Sequence, residues 1–202
     1  MTLDDMRSKS LVVTEPLAAL AEMAGASPNL LSLFSMIFAL AAGFLYYLSA
    51  GDVSLLGLAA LMVLLNSIFD AVDGTLARRT GQAEPKGDFL DHVIDRYADM
   101  AILTGIVLAG YVSEAWWIFA VMGVLLTSYL GTQAQALQLG RLYGGIMGRA
   151  DRLILIIFAT IANALYPGDL SGLSILGWAV ILITVASHAT ALQRIFLIWR
   201  RL

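Results

Sequence analysis

The chain has 202 residues, of which 59% are hydrophobic and only 13% charged, and its mean hydropathy is +0.82. This composition is unlike that of a soluble domain, so the sequence predicts one integral membrane domain over residues 1–202. A net charge of −3 argues against nucleic acid as a partner, and the lack of cysteine excludes disulfides, thiolate metal sites and a cysteine nucleophile.

Residues 1–27 are predicted to form a juxtamembrane segment. Apolar and polar residues alternate between positions 11 and 25, and Glu15, Pro16 and Glu22 interrupt the segment too often for it to span a bilayer. The pattern favours an amphipathic helix lying at the membrane interface, with a partly disordered tail as the alternative.

Residues 28–202 are predicted to form an all-α bundle of six transmembrane helices. A bilayer core requires about 20 apolar residues per helix. The second and third stretches are short because acids lie at their ends, and extending them to about Ala77 and back to about Asp88 gives full spans. The six uncharged stretches are residues 29–51, 53–69, 100–113, 115–140, 153–168 and 170–193.

The basic residues predict the orientation of the bundle. With six spans, all twelve Lys and Arg lie on one side of the membrane. The opposite loops, around residues 51–52, 113–114 and 167–169, carry none. By the positive-inside rule the sequence predicts a multi-pass protein of the cytoplasmic membrane, with both termini and the charged segment on the cytoplasmic side.

Residues 70–96, DAVDGTLARRTGQAEPKGDFLDHVIDR, concentrate acids and bases between apolar stretches, where charge by default marks a functional site. On a helix, Asp70 and Asp73 lie on one face. Asp91 and Asp95 lie on one face of the next helix. The two acidic faces are therefore expected to meet at the cytoplasmic membrane boundary.

Four adjacent carboxylates repel one another unless a cation lies among them. Oxygen ligands suit a hard divalent cation such as Mg²⁺, Mn²⁺ or Ca²⁺, and Mg²⁺ commonly shares its carboxylates with a substrate phosphate. Arg78 lies nearby as a phosphate partner, and Gly74, Ala77 and Gly87 leave space for a bulky ligand. The alternative, in which these charges only pair at helix ends, leaves the small residues on the acidic faces unexplained.

The spacing of these residues resembles the signature of the CDP-alcohol phosphatidyltransferase family at all eight fixed positions. The Pro28-Asn29 pair that opens the first span, and the run Asp95, Arg96 and Asp99, are similar to that family as well. The signature reads Asp70-x2-Asp73-Gly74-x2-Ala77-Arg78-x8-Gly87-x3-Asp91-x3-Asp95.

The resemblance implies an enzyme of phospholipid biosynthesis. Such an enzyme transfers a phosphatidyl or archaetidyl group from a CDP-linked lipid to a polar alcohol and releases CMP. It implies two Mg²⁺ or Mn²⁺ ions bound by Asp70, Asp73, Asp91 and Asp95, with Asp95 also acting as the base that takes the proton of the acceptor hydroxyl. A homodimer is expected on the same ground. The residues expected to contact the CDP-lipid are Asn29, Gly74, Ala77, Arg78 and Gly87.

A second group of arginines is predicted to bind a phosphate on the acceptor. Arg149 and Arg152 stand in GGIMGRADRLIL, which resembles the corresponding stretch of family members that use inositol phosphate. Arg194 and Arg141 are predicted to complete the pocket. A polyol phosphate, either inositol phosphate or glycerol phosphate, is therefore the expected acceptor. The alternative is that the positive-inside bias alone accounts for these arginines.

One departure favours glycerol phosphate slightly over inositol phosphate. After Ser128-Tyr129, the enzymes that use inositol phosphate usually carry Lys and Arg, and this chain has Gly131, Gln133 and Gln135 instead.

His92, His188 and the hydroxyl residues are predicted to be structural rather than ligands or nucleophiles. His92 lies off the acidic face and His188 lies within an apolar span. No histidine stands at a spacing that would activate a hydroxyl nucleophile, so hydrogen bonds to the backbone or to neighbouring helices are expected. The hydroxyl residues considered are Ser35, Ser67, Thr127 and Ser128.

Two other functions fit parts of the pattern. A membrane prenyltransferase also uses Asp-rich helices with Mg²⁺ and a diphosphate, and Asn66 before Asp70 and Asp73 is compatible with such a motif. An ion- or proton-coupled transporter is the non-enzymatic alternative, but it would need acids near the bilayer midplane, whereas these lie at one edge.

Overall fold

A computed structural model describes residues 7–140, 142 and 144–202, with side chains described from residue 13 onward. Within that part of the chain the secondary structure consists of seven α-helices and one isolated bridge between Leu170 and Leu173. The helices are α1 Arg7–Met23, α2 Pro28–Leu48, α3 Leu55–Arg79, α4 Pro85–Leu108, α5 Glu114–Ala136, α6 Arg149–Leu165 and α7 Ile175–Arg201.

Local sequence sets the helix ends around the acidic segment. The side chain of Ser27 accepts a hydrogen bond from the Leu30 amide at 3.3 Å, and Pro28 opens α2. This is the arrangement that favours a helix N-terminus. At the other end of the segment, Gly81 adopts a positive φ of 69° just after α3, and Pro85 opens α4. The acids of α3 and α4 are therefore joined by a short turn.

Close approach of α2 and α4 brings the site-bearing helices together. A Cβ atom on Gly105 would overlap the backbone of Gly43, so only glycine permits this crossing. Helix α2 also packs on α3, α3 on α6, and α5 on α7. The core between them includes Ala39, Ala42, Tyr46, Leu56, Val63, Ile102, Ile106, Leu176 and Ile183.

The outward faces of the bundle are apolar. Phe44, Phe158 and Leu192 are each more than 60% exposed, which suits contact with lipid chains rather than water. Helices α2, α3, α5 and α7 are long and apolar enough to cross a membrane. The prediction of an all-α, multi-pass membrane protein is confirmed. Helices α4 and α6 fall outside this set, since α4 carries charges in its first half and α6 has 17 residues.

Helices α5 and α7 differ from the predicted spans at three boundaries. Helix α5 ends at Ala136 rather than at 140, because Gln138 turns the chain with a φ of 60°. Helix α7 begins at Ile175 rather than at 170, because the Leu170 amide donates to the Leu173 carbonyl at 2.8 Å and closes a turn. It then continues to Arg201, past the predicted end at 193.

The juxtamembrane segment is a helix over residues 7–23, so the alternative of a disordered tail does not apply there. Ala18 of α1 packs with Val72 and Leu76 of α3. Arg79 binds Glu15 at 2.7 Å and Glu22 at 2.5 Å, and these ion pairs fasten α1 to the end of α3.

Candidate active site

Carboxylates from α3 and α4 converge on one guanidinium. Nη1 of Arg149, the first residue of α6, lies 2.6 Å from Oδ2 of Asp70 and 2.7 Å from Oδ1 of Asp95. The structure thus brings together acids that are 25 positions apart in the sequence. Their mutual repulsion is relieved by the positive charge between them.

Asp73 lies one turn further along α3 and is held from α2. Its carboxylate is buried, and its Oδ2 accepts a hydrogen bond of 2.5 Å from the hydroxyl of Ser32. Ser32 was not among the residues singled out from the sequence, because nothing local indicates which serine of α2 faces α3.

Asp91, His92 and Asp95 form a group on α4 whose possible metal-ligating atoms lie within 4.8 Å of one another. The sequence analysis placed Asp91 and Asp95 here and treated His92 as structural. His92 is partly buried, and its Nε2 lies 3.6 Å from Oδ1 of Asp88, one turn earlier. A ligand role for His92 and a pairing role with Asp88 are both compatible with this position.

Asp99 extends the acidic face of α4 inward. Its Oδ2 lies 2.8 Å from Nη2 of Arg152 and 4.0 Å from Nη2 of Arg96, and its Oδ1 lies 3.5 Å from Nε of Arg149. Three arginines therefore surround one buried carboxylate. The signal for Asp99 in the sequence was its position four residues after Asp95, on the same helical face.

The donor atoms of this cluster suit a hard divalent cation. Oδ1 of Asp70 is buried and has no hydrogen-bond partner among the described residues. Three of the five carboxylates in this region pair with three guanidiniums, and the remaining two, Asp73 and Asp91, add oxygen atoms that a cation can bind. The carboxylates are Asp70, Asp73, Asp91, Asp95 and Asp99, and the guanidiniums are Arg96, Arg149 and Arg152.

The residues expected to contact a nucleotide lie beside the acids. A Cβ on Gly74 would come 3.4 Å from Nη1 of Arg78, so the guanidinium folds back along α3. Nη2 of Arg78 donates to Oγ1 of Thr75 at 3.2 Å. Ala77, on the same side of the helix, is half-buried.

Asn29 and Gly87 lie next to each other where the start of α2 meets the start of α4. A Cβ on Gly87 would lie 3.8 Å from Oδ1 of Asn29. Asn29 is exposed, and Gly87 is partly exposed. The two positions are thus accessible to a ligand that approaches the acids.

The other predicted phosphate-binding arginines are engaged with protein groups. Arg152 is bound to Asp99, and Arg194 donates to the Thr127 carbonyl at 2.5 Å and to the Gly144 carbonyl at 3.1 Å. A Cβ on Gly131 would lie 3.0 Å from Nη1 of Arg194, so this glycine makes room for the guanidinium. Arg141 lies outside the described residues.

Four of the polar residues predicted to be structural bond to protein groups: His188, Thr127, Ser128 and Ser35. Nε2 of His188 lies 3.0 Å from the Phe119 carbonyl, and the Thr127 hydroxyl donates to the Gly123 carbonyl at 2.8 Å. Ser128 accepts a hydrogen bond from Arg96. The Ser35 hydroxyl accepts one from the Asn66 amide at 2.8 Å.

Comparison with known proteins relates this arrangement to one family. The sequence model described as CDP-alcohol phosphatidyltransferase matches residues 26–186. An archaetidylinositol phosphate synthase of Pyrococcus horikoshii is 33% identical over 88% of this chain and 86% of its own. A phosphatidylinositol phosphate synthase of Mycobacteroides abscessus is 30% identical over 90% of this chain and 81% of its own.

Solved structures share the fold. The crystal structure of Mycobacterium tuberculosis phosphatidylinositol phosphate synthase with CDP-DAG bound superposes with a TM-score of 0.76 at 23% identity, covering 93% of this chain and 94% of that one. The same enzyme in complex with manganese and citrate also gives a TM-score of 0.76 at 23% identity, covering 92% of this chain and 88% of that one.

Proposed function

Because the chain belongs to the CDP-alcohol phosphatidyltransferase family, we propose that it transfers the phosphatidyl or archaetidyl group of a CDP-linked lipid to inositol phosphate and releases CMP. The observation that best supports this site is that Asp70 and Asp95, from two different helices, both contact Arg149. Family membership removes the prenyltransferase and transporter alternatives.

Asp70, Asp73, Asp91 and Asp95 hold two divalent cations, Mg²⁺ or Mn²⁺. The buried and unpartnered Oδ1 of Asp70 and the all-oxygen donor set support this assignment. When bound, paired cations stabilise the attacking and leaving oxygens of an in-line displacement at phosphorus.

Asp95 is the general base. Its carboxylate takes the proton of the acceptor hydroxyl as the new oxygen–phosphorus bond forms at the β-phosphorus of the donor. The bond between that phosphorus and the CMP oxygen breaks, and CMP leaves with the bonding electrons. Asp95 lies between Arg149 at 2.7 Å and Arg96 at 3.2 Å, and these contacts hold its side chain in place.

The donor's CDP group lies over the small residues at the junction of α2, α3 and α4. Arg78 pairs with the diphosphate as a charged donor. The lack of side chains at Gly74 and Gly87 lets the nucleotide approach the backbone, with Asn29 and Ala77 at its edge. The lipid tails remain in the bilayer against the apolar outer faces of the bundle.

The acceptor's phosphate is bound by Arg149, Arg152 and Arg194; Arg141, the fourth predicted arginine, lies outside the described residues. Although Gly131 replaces the basic residue expected at this position, the Arg194 guanidinium lies beside it and supplies a positive charge. This arrangement offsets the departure at Gly131 that favoured glycerol phosphate from the sequence. The names of the two relatives also support inositol phosphate as the acceptor.

The architecture is one domain over residues 1–202, with a juxtamembrane segment over 1–27 and a six-span bundle over 28–202. Helices α4 and α6 are the remaining two of the six spans in this proposal, and the packing of α4 on α2 and of α6 on α3 supports it. The active site and both termini face the cytoplasm.

The protein is a homodimer, so its mass in detergent, corrected for bound detergent, should be twice the 21.7 kDa of one chain.

A substrate panel tests the proposed reaction. The purified chain is given CDP-diacylglycerol or CDP-archaeol together with inositol phosphate, inositol, glycerol phosphate, glycerol or serine, and CMP is measured. We expect CMP with inositol phosphate and little with unphosphorylated inositol. If glycerol phosphate were the better acceptor, the acceptor assignment would be wrong and the reaction class would stand; if no acceptor released CMP, the proposed reaction itself would be wrong.

A further inference from the structure

Ser32 of α2 makes a hydrogen bond to a proposed metal ligand on another helix. Its hydroxyl lies 2.5 Å from Oδ2 of Asp73, across 41 positions of sequence. Both side chains are buried, at 5% exposure each. Water therefore does not replace this contact when it is lost.

Two acceptors lie within hydrogen-bonding distance of the Ser32 hydroxyl. It lies 3.2 Å from the carbonyl oxygen of Pro28, one turn earlier on α2, and 2.5 Å from the Asp73 carboxylate. A serine hydroxyl carries a single hydrogen, and hydrogen bonds to ionised acceptors are shorter and stronger. The hydrogen is therefore directed to Asp73.

Packing fixes the position of this serine. Helix α2 begins at Pro28, held by the Ser27 cap, and it crosses α4 at the Gly43–Gly105 contact. The first turn of α2 and a point near its other end are thus anchored, so the Ser32 hydroxyl is presented to α3 from a rigid element.

We propose that Ser32 is a positioning residue that orients the Asp73 carboxylate for divalent-cation binding. The proposal rests on the proposed function, in which Asp73 is a metal ligand. Hydrogen bonds to ligating carboxylates orient them, and losing such a partner typically lowers metal affinity by about 10- to 100-fold. Ser32 touches neither substrate nor cation in this role.

Ser35 is a matched control one turn away on α2. It is fully buried like Ser32, but its hydroxyl accepts from the Asn66 side-chain amide and does not contact an acid of the cluster. Asn66 keeps a second hydrogen bond to the Ser35 carbonyl, at 3.0 Å. Ser35→Ala therefore removes a buried hydroxyl from the same helix without touching Asp73.

The experiment measures Mn²⁺ binding to the full chain in detergent, by electron paramagnetic resonance of the free ion and without substrate. We expect Ser32→Ala to weaken Mn²⁺ binding about 10- to 100-fold relative to wild type, whereas Ser35→Ala stays within about 3-fold. Ser32→Thr, which keeps the hydroxyl, should bind Mn²⁺ nearly as the wild type does. Size-exclusion profiles of the variants show whether each is folded. If Ser32→Ala is not, Ser32→Cys, which replaces the hydroxyl with a weak donor of similar size, carries the test and should also bind Mn²⁺ more weakly than wild type.

The outcomes separate the two claims. If wild type binds Mn²⁺, Asp73→Asn loses it and Ser32→Ala matches Ser35→Ala, the role of Ser32 is overturned while the metal site stands. Loss of binding in both Ser32→Ala and Ser32→Thr likewise overturns it, because the hydroxyl would then not be the cause. If Asp73→Asn binds as wild type does, or wild type binds no Mn²⁺, the proposed metal site and the role of Ser32 are both wrong.

Discussion

Individual carboxylates at the site should have separable roles. Asp95 is both the proposed base and a proposed cation ligand, so Asp95→Asn should lower turnover by about 100-fold or more, with a smaller loss of CDP-lipid binding than Asp70→Asn causes. Asp70→Asn should instead weaken cation and nucleotide binding together, since Asp70 has no proposed part in proton transfer. Turnover measured at saturating substrate, beside a donor-binding titration, distinguishes them. Near wild-type turnover in Asp95→Asn would rule out its role as base.

Arg149 links the acids to the proposed acceptor pocket. Loss of a charge-assisted contact costs about 1.5–3 kcal/mol, so Arg149→Ala should raise the KM for inositol phosphate on the order of 10- to 100-fold, with a smaller effect on the donor KM. Arg200, which stacks on Phe196 near the end of α7, is the control: Arg200→Ala should leave both constants unchanged. Equal impairment toward donor and acceptor in Arg149→Ala would mean that Arg149 only organises the acids and does not bind the acceptor.

The site residues differ in how far the sequence predicts them. The phase of Asp70 with Asp73, and of Asp91 with Asp95, follows from helical periodicity and requires no tertiary information. The contacts of Ser32 with Asp73, and of Arg149 with Asp70, depend on how separate helices pack, and no local pattern encodes that packing. The sequence could therefore predict the acids but not the groups that hold them.

The boundaries of the helices, like the site residues, were predicted only in part. The end of α3 and the start of α4 were predicted to within about three residues, because Gly81 and Pro85 mark the turn between the two acidic segments. The end of α5 was missed because Gln138 adopts a left-handed conformation. Glutamine, unlike glycine, does not indicate such a conformation in the sequence. The turn before α7 was missed because residues 170–173 carry no charge and were therefore included in an uncharged span.

The crossing of α2 and α4 makes a quantitative prediction. A Cβ at Gly105 would overlap the backbone of Gly43, so Gly105→Ala should destabilise the protein by about 1–3 kcal/mol, the usual cost of overpacking. The crossing also anchors α2 beneath the site, so activity should fall with stability. Thermal unfolding in detergent, followed by circular dichroism, measures the effect.

Gly57 provides the matched control on α3. A Cβ there would meet no atom within 4 Å, so Gly57→Ala should be neutral or stabilising by up to about 1 kcal/mol. If the unfolding midpoints of Gly105→Ala and Gly57→Ala shifted alike, the close crossing would be wrong.

The number of spans determines where Ser113 lies. With six spans, the loop at Ser113 is on the opposite side of the membrane from Gln82; if only α2, α3, α5 and α7 crossed, both would lie on the same side. The chain has no cysteine, so Ser113→Cys and Gln82→Cys each introduce a single reactive thiol. In cells treated with a membrane-impermeant maleimide, we expect Ser113→Cys to be labelled and Gln82→Cys to be labelled only after lysis. Labelling of neither before lysis would contradict the six-span topology.

Across the whole molecule, the fold brings an acidic cluster, and the arginines that contact it, to one end of an apolar bundle. In the proposed function, a lipid-linked nucleotide keeps its tails in the bilayer while its diphosphate reaches the carboxylates. The most direct test is CMP release by wild-type protein given CDP-lipid and inositol phosphate, first in excess EDTA and then after Mn²⁺ or Mg²⁺ is added back above the chelator. We predict no CMP in EDTA and full recovery with the cation, with no recovery in Asp91→Asn. Undiminished CMP release in excess EDTA would contradict the metal-dependent transfer proposed for these four acids.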